Sequence, residues 1–300
     1  MDKITICICT FKRRDLLRKC LQSLYEMDIP TNTHITLTVI DNHDQQSAKT
    51  VVDELTPAAT IPTHYVNEPK RGIPHARNRA MIESRAQHAK YLVFIDDDEW
   101  VAQDWLCKLY QYCLSKGGEL VVSGKVIAVL PDNIPNEIAA LLMDTKNRLT
   151  GARLTTCATN NVIFPLAITE KLSIEFDTSN PRAGGEDTVF FTKMAIQGVV
   201  IERCAEAIVY EHIPPARATL KWQIKRKFWT GTINAWRKHQ HGRYWSSIFI
   251  SSTLQVLFYG LLAAITSIAG PSLQRNKAIL KMSRAAGEIS GIFGYRVDNY

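Results

Sequence analysis

Residues 91–100 read Tyr-Leu-Val-Phe-Ile-Asp-Asp-Asp-Glu-Trp (YLVFIDDDEW), an apolar run that passes without a break into four acids. A short continuous apolar run of this kind marks a strand covered on both faces, and the acids mark where it leaves the core. The same design recurs upstream. Ile4 to Thr10 (ITICICT) and Ile35 to Asp41 (ITLTVID) are strands with polar ends, and His64 to Val66 is a short third. Helical patterns lie between them: Arg13 to Tyr25 with leucines at 16, 17, 21 and 24, Ser47 to Leu55, and Pro74 to Gln87 with proline in the first turn. Downstream, Ala102 to Ser115 and Glu186 to Gln197 read as helices, and Leu120 to Leu130, Asn161 to Pro165, Ile174 to Phe176 and Val199 to Tyr210 as strands. Residues 131–158, punctuated by Pro131 and Pro135, read as an excursion. The alternation predicts an α/β fold with a mostly parallel sheet flanked by helices. In such a sheet ligands gather at the carboxyl ends of strands, where Thr10, Asp41, Asn42 and Asp96 to Asp98 fall.

The 300-residue chain, 46% hydrophobic and 22% charged, has enough apolar material for a sizeable core, which excludes a mainly disordered or low-complexity protein. Seven cysteines, an odd number without metal-knuckle spacing, argue against a disulfide-built secreted domain. Met1 leads within three residues into a strand, so a reducing cytoplasmic setting is expected. The charge is uneven: residues 1–210 carry 23 Lys and Arg against 26 Asp and Glu, and residues 211–300 carry 13 against 3. A basic last third expects an anionic neighbour.

Four adjacent carboxylates repel one another unless a cation sits among them. Hard oxygen donors suit Mg²⁺ or Mn²⁺, and in extended backbone Asp96 and Asp98 would point the same way. A solvated acidic turn before the next helix is the alternative. Glu186 and Asp187, after Gly184-Gly185, open a helix whose dipole favours acids, or else supply a general base to a substrate that the glycines let come close. His212 and the turn Asn160-Asn161 also admit structural or ligand-contacting readings.

The ordered segments ITICICTFKRRDLLRKCLQSL, VIDN, EPKRGIPHARNRA, YLVFIDDDEW, ATNNVIF, GGEDTVFFTKMAIQG and AIVYEHIPP resemble family 2 glycosyltransferases with the GT-A fold. They are most similar to the bacterial exopolysaccharide branch with its succinoglycan-type glucosyltransferases. The resemblance covers about residues 3–215. It implies an inverting, metal-dependent transferase moving a sugar, glucose by default, from a UDP-sugar donor to a polyprenyl-diphosphate-linked glycan. Thr10, Phe11 and Arg13 would line the nucleotide, and Asp41 would contact the base. Gly72, Arg77 and Asn78 would lie near the donor, and Asn161 would contact sugar or acceptor. Asp96 would sit near the ribose and Asp98 on the metal, with Asp97 as an alternative ligand. His212 would face the diphosphate or the metal. Asp187 would be the base, with Glu186 supporting it.

The catalytic domain is expected at residues 1–215 and a helical tail at 216–300. Trp222, Trp229 and Trp236 recur every seven residues among cations, as on a helix lying at a membrane interface or docked on the catalytic domain. Residues 246–270 carry no charge and are long enough to cross a bilayer. Basic flanks on both sides disfavour crossing. An in-plane or re-entrant helix at the cytoplasmic face of the inner membrane, peripheral or monotopic on an anionic surface, is expected; a buried helix is the other reading. Nothing in the chain resembles a nucleic-acid module. A nucleotidyltransferase or a non-catalytic membrane scaffold are the competing functions, although residues 10–20 lack the glycine-rich loop of the former.

Overall fold

The computed structural model describes residues 1–143, 148–181 and 184–295. It opens with β1 (Asp2–Thr10), α1 (Arg14–Glu26), β2 (Thr33–Asp41), α2 (Lys49–Leu55), β3 (Thr63–Asn67) and α3 (Ile73–Ala86). β4 (Tyr91–Asp96), β5 (Glu99–Val101), α4 (Trp105–Ser115), β6 (Val121–Val129) and α5 (Asn136–Met143) follow. Next come β7 (Val162–Pro165), α6 (Ala167–Lys171), α7 (Glu186–Ile196) and β8 (Ile201–His212). Three long helices close the chain: α8 (Leu220–Gln240), α9 (Trp245–Ala269) and α10 (Ser272–Ile292).

The strands form one sheet in the order β3-β2-β1-β4-β7-β6-β8-β5. β1 pairs in parallel with β2 and β4, and β2 with β3; β7 runs antiparallel to β4 and β6, and β5 antiparallel to β8. The chain leaves β1 toward β2 and β3, then returns to β4 on the other side of β1. Thr10 is thereby registered with Asp41, and Cys9 with Asp96. That reversal of strand order opens a crevice at the carboxyl ends of β1 and β4, where such sheets bind ligands.

Apolar residues cover both faces. On one, Leu17, Leu21 and Leu24 of α1 and Trp105 and Leu109 of α4 pack with Ile6, Ile8 and Val93. On the other, Ala76 and Ala80 of α3 and Phe190, Phe191 and Met194 of α7 pack with Phe94, Phe164 and Phe176. All seven cysteines are free thiols.

Three expectations change. Ile174 to Phe176 is not a strand: its alternate residues are buried, but the Phe176 backbone bonds to the Asn78 side chain instead of a ladder. The acidic run is not extended, because β4 stops at Asp96, Asp97 and Asp98 turn, and Glu99 starts β5, so the same-side argument for Asp96 and Asp98 fails. The excursion at 131–158 contains α5.

Two compact units result. Of the described residues, 1–127, 148–181 and 186–211 make the sheet unit, and 128–143, 184–185 and 212–295 make the helical unit. In the latter α10 packs against α5, α8 and α9. Gly231 of α8 and Gly287 of α10 allow this: a Cβ on either would fall inside the backbone of the facing helix. Glu288, 2% exposed, joins the three long helices by an ion pair to Lys238 at 2.6 Å and a bond from Ser252 at 2.7 Å.

Candidate active site

The acids at the crevice are held by side chains from β1 and its loop. Thr10 Oγ1 donates to Asp97 Oδ2 at 2.7 Å. Arg13 Nη1 bridges Asp97 Oδ1 at 3.0 Å and Asp98 Oδ2 at 3.1 Å. Glu99 is buried and accepts from the Asp96 amide and from Asn160, both at 3.1 Å. Asp96 is the more open acid, its side chain 42% exposed. Arg77, 6% exposed on α3, pairs through Nη1 with Glu186 Oε1, and its Nη2 lies 3.8 Å from Asp96 Oδ1. Asp187 follows in the first turn of α7, where its Oδ1 accepts from the Thr188 amide at 2.6 Å.

Six carboxylates therefore stand with two guanidiniums. Although part of its side chain stays open, desolvation by the surrounding protein, opposed by Arg77 and reinforced by Asp98, Asp97 and Asp187, lifts the Asp96 carboxyl to about 7. Burial also raises Asp97 against the pull of Arg13, Glu99 strongly, and Glu186 against the pull of Arg77. Desolvation works against the charge of Arg77, but Glu186, Asp96 and Asp187 outweigh it and hold the guanidinium above its ordinary value.

Among the described residues no three His, Cys, Asp or Glu side chains converge as a ready-made metal cage. The donor set instead fits Mg²⁺ or Mn²⁺ held by one or two carboxylates, with the other positions filled by water and phosphate oxygens. His212 is exposed at the end of β8.

Three expected ligand contacts have structural duties. The enclosed Asp41 carboxylate accepts from the His43 and Ala48 amides, Ser47 Oγ and Tyr65 OH, and so fixes the loop after β2. The Asn78 amide is clamped to the Phe176 backbone by two bonds of 2.9 Å. Asn161, buried at φ 110°, accepts from Trp105 Nε1 at 2.8 Å and donates to the Lys125 and Ala207 carbonyls. Each amide or carboxylate has hydrogen-bond partners inside the protein.

Phe11 and Gly72 stay at the crevice. Gly72 (φ 128°) opens α3; a Cβ there would lie 2.6 Å from Pro181, and its amide donates to Asn42 Oδ1 at 2.7 Å. Arg71 stands 5.1 Å over the Phe11 ring, and His43 meets that ring edge-on at 5.4 Å. His43 is buried with Nδ1 lacking a partner. Sequence reasoning passed over His43 and Arg71; their position beside Asn42 and Gly72 was the available signal.

Acids and arginines gather at the switch point of a mostly parallel, helix-flanked sheet of the GT-A type. The profile described as "Glycosyl transferase family 2" matches residues 5–167, and "Glycosyl transferase family group 2" matches residues 91–277. The chain is 30% identical over 299 residues to the succinoglycan biosynthesis protein ExoM of Rhizobium meliloti (strain 1021), covering 98% of this chain and 94% of ExoM. It belongs to glycosyl transferase family 2 and is a glycosyltransferase, which replaces the nucleotidyltransferase and scaffold readings.

Solved structures share the fold. The mannosyltransferase PcManGT of Pyrobaculum calidifontis, in complex with GDP-Man and Mn²⁺, superposes with a TM-score of 0.63 at 18% identity, covering 97% of this chain and 87% of that one. S. aureus TarS 1–349 in complex with UDP-GlcNAc gives 0.57 at 14% identity, covering 97% and 92%. The chain spans 55% of the longer TarS chain.

Proposed function

We propose that this glycosyltransferase moves a sugar from a UDP-sugar, glucose as the leading candidate, to a lipid-linked glycan in exopolysaccharide assembly, with inversion at the anomeric carbon. One observation carries the reading: a single buried guanidinium, Arg77, stands between Asp96 at the end of β4 and the Glu186–Asp187 turn. Donor-side acid and candidate base are thus neighbours across one crevice. The nucleotide sugars in TarS and PcManGT, and the succinoglycan role of ExoM, support the donor and the pathway class.

Phe11, with Arg71 and His43, supplies a surface for the base, and Arg13 a cation beside the diphosphate. The acceptor hydroxyl attacks C1 of the sugar, the bond from C1 to the diphosphate oxygen breaks, and nucleoside diphosphate departs with the electron pair. Asp187 Oδ2 takes the hydroxyl proton while Oδ1 stays on the Thr188 amide. A divalent cation on Asp96 and Asp98, when bound, offsets charge on the leaving diphosphate.

The helical unit fits attachment to the cytoplasmic leaflet. α9 is long and apolar enough to cross a membrane by length and composition. Its exposed side presents Ile250, Leu254, Leu257, Phe258, Leu261 and Ile265, while Ile248, Ser252, Ala263 and Thr266 face inward. Because α10 packs on it, a crossing α9 would draw Lys277, Lys281 and Arg284 toward hydrocarbon, which is costly. α9 therefore lies in the plane of the bilayer.

The test is a hydrolysis and transfer screen across nucleotide sugars, with and without EDTA. Turnover is expected with a UDP-sugar and a divalent cation, and Asp187→Asn should lose at least ~10²-fold in transfer, the usual scale of general-base removal. Near-normal transfer by that folded variant would remove Asp187 from the role.

A further inference from the structure

Arg77 and Asn78 are consecutive on α3; Arg77 grips the helix that carries the candidate base, and Asn78 holds a residue that packs on that helix. Arg77 pairs with Glu186 in the first turn of α7. Asn78 fixes the Phe176 backbone, and the Phe176 ring stacks on Phe190 of α7 with centroids 4.0 Å apart and planes 7° from parallel. The Arg77 guanidinium also lies 5.7 Å from the centroid of that Phe176 ring. One face of the cation is thus occupied by an aromatic ring, one nitrogen by Glu186, and the other nitrogen is turned toward Asp96.

A guanidinium in this setting cannot leave its carboxylate for a substrate phosphate without stranding a buried negative charge, which is strongly unfavourable. Arg13 differs: its side chain is 41% exposed and it already reaches two acids of the crevice. The two arginines divide the work.

We infer that Arg77 is a positioning residue for the transfer step: through Glu186 it holds the first turn of α7, and hence Asp187, at a fixed distance from Asp96, and it makes no contact with the donor. This rests on the proposed base, but the placement of α7 is measurable without any sugar. Displacement of a reacting group by about 1 Å costs roughly 10²-fold in rate, so a loosened turn should appear in kcat.

Three measurements decide it. Amide hydrogen exchange of residues 186–190 should quicken in Arg77→Met and Glu186→Gln but not in Arg79→Met, which alters a half-exposed arginine paired with Glu83 on the same helix. Calorimetry with UDP and Mn²⁺ should give Arg77→Met a Kd within about threefold of wild type, because uniform binding is untouched. In transfer or hydrolysis of UDP-glucose, or of whichever UDP-sugar wild type turns over, Arg77→Met should lower kcat about 10²-fold at little-changed donor KM. In a Glu186→Gln background the same substitution should cost under about threefold more, since residues acting through one another do not add.

Arg77→Lys should recover part of kcat and of the exchange protection. If Arg77→Met does not fold, Arg77→Met/Glu186→Met removes both charges together and should match Glu186→Gln in kcat. UDP affinity falling in step with kcat while exchange at 186–190 stays unchanged would overturn the inference. So would independent, multiplicative effects of the two substitutions. A wild type inert toward every nucleotide sugar would defeat the proposed donor and leave exchange and UDP binding to judge Arg77.

Discussion

A carboxylate that ends a strand in open water keeps its ordinary acidity; one walled into a crevice binds its proton more tightly. Asp96, Glu99 and Glu186 are all raised, in each case first by burial. A carboxyl with a higher pKa folded than unfolded favours the fold at low pH, and that contribution is lost as pH rises through the folded value. For Asp96 the window runs from 3.8 to about 7. In EDTA, the Tm of wild type relative to Asp96→Asn should therefore fall across that window. Mn²⁺ added above it should raise the Tm of wild type more than that of the variant, because in the proposed site ionised Asp96 is a ligand. A relative Tm that climbs with pH would contradict the assignment. Composition at 96–99 announced crowded acids, but not their partners: Arg13 lies 84 residues from Asp97, and Arg77 lies 109 from Glu186. Asp41, Asn78 and Asn161 mark the same limit. Sequence places a polar residue at a strand or helix end, while only the fold shows whether its hydrogen bonds point inward.

At the scale of elements, periodicity carried the parallel half of the sheet. β1, β2 and β4 are buried on both faces and read as continuous apolar runs. The three-residue β5 could not be read, because Glu99, Trp100 and Val101 are too few to show an alternation and pair with β8 far along the chain. Ile174 to Phe176 erred in the opposite sense, since alternation records burial and not a ladder. The close crossing of α8 and α10 was also invisible until both helices were placed. It has a measurable consequence. Gly287→Ala puts a methyl against the Phe228 carbonyl and should destabilise by about 1–3 kcal/mol, the usual range for overpacking. Gly260→Ala, where the nearest atom is the Met282 sulfur at 3.4 Å, should be neutral or slightly stabilising through helix propensity. Urea unfolding of the two variants side by side reads the difference, and equal midpoints would show that α8 and α10 do not approach as described.

Across the whole molecule the chain separates its charges by task. The sheet unit gathers acids at a crevice, and the last third gathers cations. Residues 212–295 carry twelve Lys and Arg and one acid, Glu288, which is buried against Lys238. The outer surface of the described helical segment is therefore free of exposed acids, and its longest apolar face is unpartnered. An anionic bilayer satisfies both properties at once, whereas a second copy of the same surface would bring like charges together. The protein should float with phosphatidylcholine vesicles that contain about 30% phosphatidylglycerol, far more weakly with phosphatidylcholine alone, and release as salt rises toward ~1 M. Leu257→Glu/Leu261→Glu should abolish flotation while leaving donor hydrolysis intact. With α9 in the plane of the leaflet, Ser246→Cys and Ser272→Cys, each compared with the parent chain, should both react with an impermeant maleimide on the outside of preloaded vesicles. Protection of one position alone would mean that α9 crosses. A dimer in solution that the two glutamates dissociate would mean that the apolar face belongs to another copy of the chain.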